Sequence, residues 1–176
     1  RMGNTVVAKP SEYTPLSVLA VAALMNRHLP DGVLTVVAGG RDVGEAIASH
    51  PDLDKIMFTG STATGRRIIE GSAHNLARLT LELGGNDAGI VLPGTDVDAI
   101  AQNLFWGIFI NTGQTCAALK RLYVHEDIYE ELCQALVDIA RTVTTGDGST
   151  DVDFGPIQNK AQFDKVCQMA TEAKDS

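Results

Sequence analysis

The chain has 176 residues, 44% of them hydrophobic, and a formal net charge of −8. That length suits one large domain or parts of two, and the apolar content calls for a packed core, which excludes a disordered polypeptide. The acidic balance argues against nucleic acid or an anionic membrane surface as partner, and no apolar run approaches the roughly 18 residues of a spanning helix.

Thr5 to Lys9 is a β-branched apolar run and a strand candidate, ended by Pro10. Thr14-Pro15 is expected to open a helix, Thr14 as its cap, with an apolar face of Leu16, Leu19, Ala20, Ala23 and Leu24. Pro30-Asp31-Gly32 is a turn, Val33 to Val37 a second strand, and Val43 to Ser49 a short helix. Lys55 to Thr59 is a third strand, followed by the turn Gly60-Ser-Thr-Ala-Thr-Gly65 and a helix to about Gly71. Strands alternating with helices in this order predict an α/β fold with a doubly wound, Rossmann-like parallel sheet. Arg78 to Leu83 and Ala88 to Leu92 read as two further strands around a sharp turn at Gly84-Gly85. Thr95 or Asp96 caps a helix to about Ile110, Arg121 to His125 is a strand, and helices follow over 126–143 and 159–174. Gly146 to Asp151 is the one stretch loose enough to suggest a linker. We expect a cofactor-binding domain over 1–83 and the start of a second α/β domain, the catalytic one, over 84–176. The abrupt beginning beside a strand and the end inside a helical pattern suggest an interior piece of something longer.

Ligands of doubly wound sheets bind at the carboxyl ends of strands. Lys9 and Glu12 leave the first strand there, and an acidic side chain in that place can accept from ribose hydroxyls; a solvated surface pair is the alternative. The small residues of Gly60 to Gly65 let backbone N–H groups approach a phosphate at a helix N-terminus, although an ordinary strand-to-helix turn has the same letters. The spacing is neither G-x-G-x-x-G nor a Walker loop. Cys116 follows a Gly113-Gln114 turn rich in polar side chains, between a helical run and a strand, where a thiol can be held rigidly and still be reached. Glu82 alternates with Leu81 and Leu83, which puts it on an exposed face; a carboxylate in a semi-apolar cleft would instead make a base. Phe105, Trp106 and Phe109 share a helix face and read as core. Cys116, Cys133 and Cys167 are odd in number and lack metal spacing, so they read as reduced thiols in a cytoplasmic protein, with no metal site.

Taken together, these stretches resemble the aldehyde dehydrogenase superfamily. Gly3 to Ser17 is similar to its first cofactor segment, Phe58 to Thr62 with Gly65 to its pyrophosphate turn, Leu81 to Ala88 to its glutamate signature and Phe109 to Lys120 to its cysteine signature. Cys116 follows Glu82 by 34 positions, as the family's pattern has it. The resemblance implies an NAD-dependent oxidation of a small aldehyde to a carboxylic acid, with NADP possible. It makes Cys116 the nucleophile, forming a thiohemiacetal and then a thioester, with the Cys116 backbone N–H as oxyanion donor and Glu82 as the base for hydrolysis. Lys9 and Glu12 would hold the adenosine ribose, Ser61 the pyrophosphate with Gly60 and Gly65 allowing close approach, and Leu83 would touch the nicotinamide end. It also implies a homo-oligomeric parent. Departures are Asn86, where the family often has lysine, and the missing Pro-Trp-Asn and Glu-x-Phe-Gly-Pro segments, the latter mimicked in letters by Asp153 to Pro156. The expectation is therefore an active parent and an inactive 176-residue piece. A non-catalytic nucleotide-binding or structural piece is the alternative, and a cofactor-free thiol hydrolase a third.

Overall fold

The computed structural model describes residues 3–175. They divide into two compact units, one ending at Glu82 and the other beginning at Leu83.

The first unit contains β1 (Val6–Ala8), α1 (Leu16–Met25), β2 (Leu34–Val36), α2 (Arg41–Ala48), β3 (Lys55–Thr59), α3 (Thr62–Ser72) and β4 (Arg78–Glu82). β1 pairs with β2, and β3 with β4, both in parallel. Parallel partners need a crossover, and α1 and α3 supply it. The class is α/β with parallel strands; among the described residues the strands join two by two, not in one continuous sheet. Ala48, Ile56 and Ile68 form the buried centre, flanked by Leu53, Phe58, Leu79 and Leu81. The inward residue of β3 thus meets the inward stripe of α3, as strand and helix periodicities require. Thr14 does not cap α1: the cap position is Pro15, which has no side-chain donor or acceptor to offer. The expected single apolar face of α1 is also absent. Its sequence is apolar nearly all round, only Ala22 is buried, and Leu16 is 78% exposed.

The second unit contains β5 (Asp87–Val91), α4 (Val97–Phe109), a 3₁₀ turn (Ile110–Gly113), β6 (Leu119–Val124), α5 (Glu126–Thr142) and α6 (Lys160–Asp175). β5 and β6 are parallel, with a register shift between Asp87 and Ala88. The strands expected on either side of Gly84-Gly85 are both present, and each pairs within its own unit, β4 with β3 and β5 with β6. Asp96 caps α4 by accepting from the Ala99 N–H at 3.1 Å, which satisfies one of the orphan amides of a helix start. Val91, Val97, Ala101, Ile128 and Leu132 make the core between α4, α5 and the strands. Leu132 is 1% exposed, a burial that stabilises by about 1.5–3 kcal/mol.

Residues 146–151 are not a linker. Thr145 and Phe154 form a parallel bridge. Asp147 accepts from the Ser149 N–H and hydroxyl, and Asp153 accepts from the Thr144 N–H and hydroxyl, each at 2.8–2.9 Å. These bonds hold both carboxylates below the usual carboxylate range. The closed loop seats Phe154 against Phe105, Trp106 and Phe109, with ring centroids 5.1–6.4 Å apart. No described residue of α6 is buried.

Candidate active site

α4 ends at Phe109, and the chain then takes three successive left-handed steps, at Asn111 (φ 53°), Thr112 (φ 59°) and Gly113 (φ 73°). Glycine adopts this backbone freely and asparagine tolerates it, but a β-branched threonine resists it. Each non-glycine step costs roughly 1–2 kcal/mol, so the turn persists only if its surroundings dictate it. They do. The Asn111 carboxamide donates to the Gln114 carbonyl at 3.3 Å, and the Gln114 carboxamide donates back to the Asn111 carbonyl at 3.1 Å. The Thr115 hydroxyl donates to the Ile110 carbonyl at 3.3 Å. From the segment after the closed loop, Gly155 offers its carbonyl to the Thr112 hydroxyl at 3.1 Å, and the Gln158 N–H donates to Gln114 Oε1 at 2.9 Å. From β6, Lys120 Nζ donates to the Gly113 carbonyl at 3.1 Å and to the Thr115 carbonyl at 2.9 Å.

Cys116 stands just past this clamped turn with its free thiol exposed. Two residues on, Ala118 is fully buried and anchors the exit into β6. Among the described residues no hydrogen bond engages the Cys116 N–H. Gly85 lies against the Cys116 main chain, and a Cβ at that position would collide with the Cys116 carbonyl oxygen. Arg121 Nε donates to the Asn86 carbonyl at 3.0 Å, fixing the strand entry that follows Gly85.

In the first unit, the expected six-residue turn is a two-residue one. α3 begins at Thr62, so Gly65 lies buried inside the helix, and its N–H donates to the Ser61 carbonyl at 3.0 Å. Ser61 is the cap: its Oγ accepts from the Thr64 N–H at 3.2 Å and lies 3.0 Å from the Thr64 hydroxyl. The amides of Thr62 and Ala63, at the front of the helix, are the groups left for an anion, with the helix dipole behind them. The Phe58 ring lies where a Cβ on Gly60 would go, so a side chain there would displace ring or backbone. The Gly60 N–H donates to the Glu82 carbonyl at 3.0 Å. Gly60, Ser61 and Glu82 therefore share the carboxyl end of the β3–β4 pair, with Glu82 exposed. Lys9 follows β1 at its carboxyl end. Its stem packs over Gly44, and Nζ lies 2.9 Å from the Pro10 carbonyl and 3.6 Å from the Glu12 carboxylate. A small-residue turn at a helix start and a Lys–Glu pair beside a strand end fit a dinucleotide, with backbone amides more than the Ser61 hydroxyl as the phosphate donors. Leu83, half-buried, opens the second unit.

Gly85, Lys120, Thr112 and Gln158 all hold the cysteine turn, and none stands out in sequence as a functional position. The nearest signal is the Asn-x-Gly at 111–113, which marks left-handed backbone without naming what secures it.

The model of the aldehyde dehydrogenase family matches residues 1–176. A Pseudomonas sp protein described as a probable aldehyde dehydrogenase is 47% identical over 152 residues, 86% of this chain and 31% of that protein. The D-glyceraldehyde dehydrogenase (NADP(+)) of Thermoplasma acidophilum is 40% identical over 99% of this chain and 36% of its own length. The crystal structure of PnpE from Pseudomonas sp. WBC-3 superposes with a TM-score of 0.94 at 42% identity, over 98% of this chain and 36% of that one. PnpE has also been crystallised in complex with nicotinamide adenine dinucleotide. The chain spans about a third of the length of each of these proteins.

Proposed function

The chain belongs to the aldehyde dehydrogenase family, and from that we propose that the protein oxidises a small aldehyde to a carboxylic acid with NAD(P)+. The observation that carries the reading is the exposed Cys116 thiol beside its own N–H, which no described residue engages, behind a turn held by seven hydrogen bonds from its own side chains and neighbours. The unit ending at Glu82 binds the cofactor, and the unit beginning at Leu83 carries the nucleophile.

Cys116 attacks as the thiolate. As the S–C bond forms, the carbonyl π pair moves to oxygen, and the Cys116 N–H donates to the resulting oxyanion; one such donor typically contributes about 10²–10³-fold in rate. Bound NAD(P)+ would supply the hydride acceptor. As the oxyanion pair reforms C=O, the C–H pair leaves the carbon as hydride, and Cys116 is left carrying a thioester. Glu82 takes a proton from water as the water oxygen adds to the thioester carbon. The C–S bond breaks with its pair on sulfur, and the carboxylic acid leaves. The amides of Thr62 and Ala63, with Ser61, would hold the pyrophosphate; Gly60 would keep that approach open, and buried Gly65 packs the helix that presents the amides. Lys9 and Glu12 would hold the adenosine ribose, and Leu83 would meet the nicotinamide end. The protein is a homo-oligomer, and its three free cysteines suit a reducing cytoplasm. In the full-length protein, Cys116→Ala should abolish aldehyde-dependent NADH formation and leave NAD binding intact. Turnover that survives the substitution excludes Cys116 as the nucleophile.

A further inference from the structure

Lys120 does more than close a turn. Its ammonium reaches back from β6 to two carbonyls of the cysteine loop, Gly113 at 3.1 Å and Thr115 at 2.9 Å. The second matters most, because the Thr115 carbonyl and the Cys116 N–H belong to one peptide group. That group is planar and trans, so its C=O and N–H point in opposite directions. Pinning the oxygen fixes where the N–H points. An ammonium on the oxygen also draws electron density through the amide and makes the N–H a stronger donor, since hydrogen bonds in a chain polarise one another. The far end of this peptide is the N–H that no described group engages.

We propose that Lys120 is a positioning residue for the oxyanion donor: it acts through the Thr115–Cys116 peptide, orienting and polarising the Cys116 N–H toward the oxygen that gains charge when Cys116 adds to the aldehyde. The placement of the contacts favours this over a purely scaffolding part. A scaffold for the left-handed turn needs a donor on the Gly113 carbonyl, and the Asn111–Gln114 pair and Gln158 already brace the turn independently. The bond to the Thr115 carbonyl lies beyond the strained residues, on the peptide that carries the donor. A cation serves better than a neutral amide here, because it shares the charge that the oxyanion pushes into the peptide.

The inference rests on the aldehyde-oxidising reading, and its test separates the two. It uses the full-length protein in a Cys133→Ser, Cys167→Ser background, so that alkylation reports Cys116 alone. Addition to an aldehyde builds an oxyanion, whereas displacement of iodide from iodoacetamide by the same thiolate builds none. Lys120→Met should therefore lower kcat/KM for aldehyde at least tenfold while the alkylation rate of Cys116 stays within twofold of wild type. Lys120→Arg should restore kcat/KM to within about threefold. Where Lys120→Met does not fold, Lys120→Gln carries the same expectation, since its amide still donates but carries no charge. Unchanged kcat/KM in the methionine or glutamine variant overturns the proposal. So does a parallel fall of turnover and alkylation, which assigns Lys120 to the scaffold. A wild-type protein that forms neither NADH nor NADPH with any aldehyde, yet alkylates normally at Cys116, overturns the proposed function, and the role of Lys120 falls with it.

Discussion

Two residues of the candidate site are informative because one offers a free carboxylate and the other only the room left by a missing side chain. Glu82 is exposed at the carboxyl end of β4, with its carbonyl already committed to the Gly60 N–H and only its carboxylate free to act. If it serves hydrolysis alone, Glu82→Gln slows the second half of the reaction and spares the first. A stopped-flow burst of NADH, about one per active site, should then precede a steady rate at least tenfold below wild type. Loss of the burst together with the steady rate assigns Glu82 elsewhere. Gly85 carries no chemistry, yet its missing side chain makes room for the Cys116 carbonyl. Gly85→Ala has to move backbone, not the end of a flexible side chain. It should cost about 1–3 kcal/mol in a denaturant titration and slow Cys116 alkylation several-fold. A variant as stable and as reactive as wild type would show that the contact relaxes freely.

At the scale of elements, the sequence announces whatever rests on periodicity and local chemistry. β3 is legible residue for residue, because the apolar run of Lys55 to Thr59 ends at a glycine. α4 is legible from its Asp96 cap, and α5 from the inward pair Ile128 and Leu132. What is lost depends on distant partners. Gly84-Gly85 has the letters of a sharp turn, but which strands pair is decided by crossovers on either side of it. The left-handed run escapes notice because Thr112 argues against it locally, and its remedy comes from Gly155 and Gln158, more than forty residues on. The closed loop is misread for the opposite reason: Gly, Asp, Ser and Thr compose flexible linkers and tight hydrogen-bonded turns alike. That loop has a pH signature. Asp153 accepts two bonds from Thr144, which depress its pKa in the folded protein. Stability from such a carboxylate is present above its unfolded pKa and disappears as pH falls through the lower, folded value. Amide exchange at Gly146, whose N–H donates to the Phe154 carbonyl at 3.0 Å, should therefore accelerate below about pH 4. In Asp153→Asn it should be fast already at pH 7 and lack that acid limb. Exchange independent of pH beyond the intrinsic rate in the unsubstituted protein would remove Asp153 from this role.

For the whole molecule, apolar surface is the salient quantity. Leu16 on α1, Met57 on β3 and Ile90 on β5 are each more than 70% exposed, and Phe163, Val166 and Met169 follow one another along α6 about half exposed. Exposed apolar side chains that form a contiguous surface recruit partners or dyes. The isolated 176-residue chain should enhance 1-anilinonaphthalene-8-sulfonate fluorescence under native conditions and should give no steady NADH signal with an aldehyde. A dye-silent, monomeric chain would mean that these side chains find cover among themselves. The clamp on the cysteine turn also bears on the order in which a growing polypeptide matures. Asn111, Thr112 and Gly113 leave the ribosome before Lys120, Gly155 and Gln158, which hold them in place. Until Gln158 has emerged, the turn has only its local bonds, from Asn111, Gln114, Thr115 and Lys120, and lacks those from Gly155 and Gln158. The full set of bonds on the cysteine turn is thus complete only once a residue some forty positions beyond Cys116 has joined it, and a nascent chain cut short of Gln158 keeps the local bonds without the distant ones.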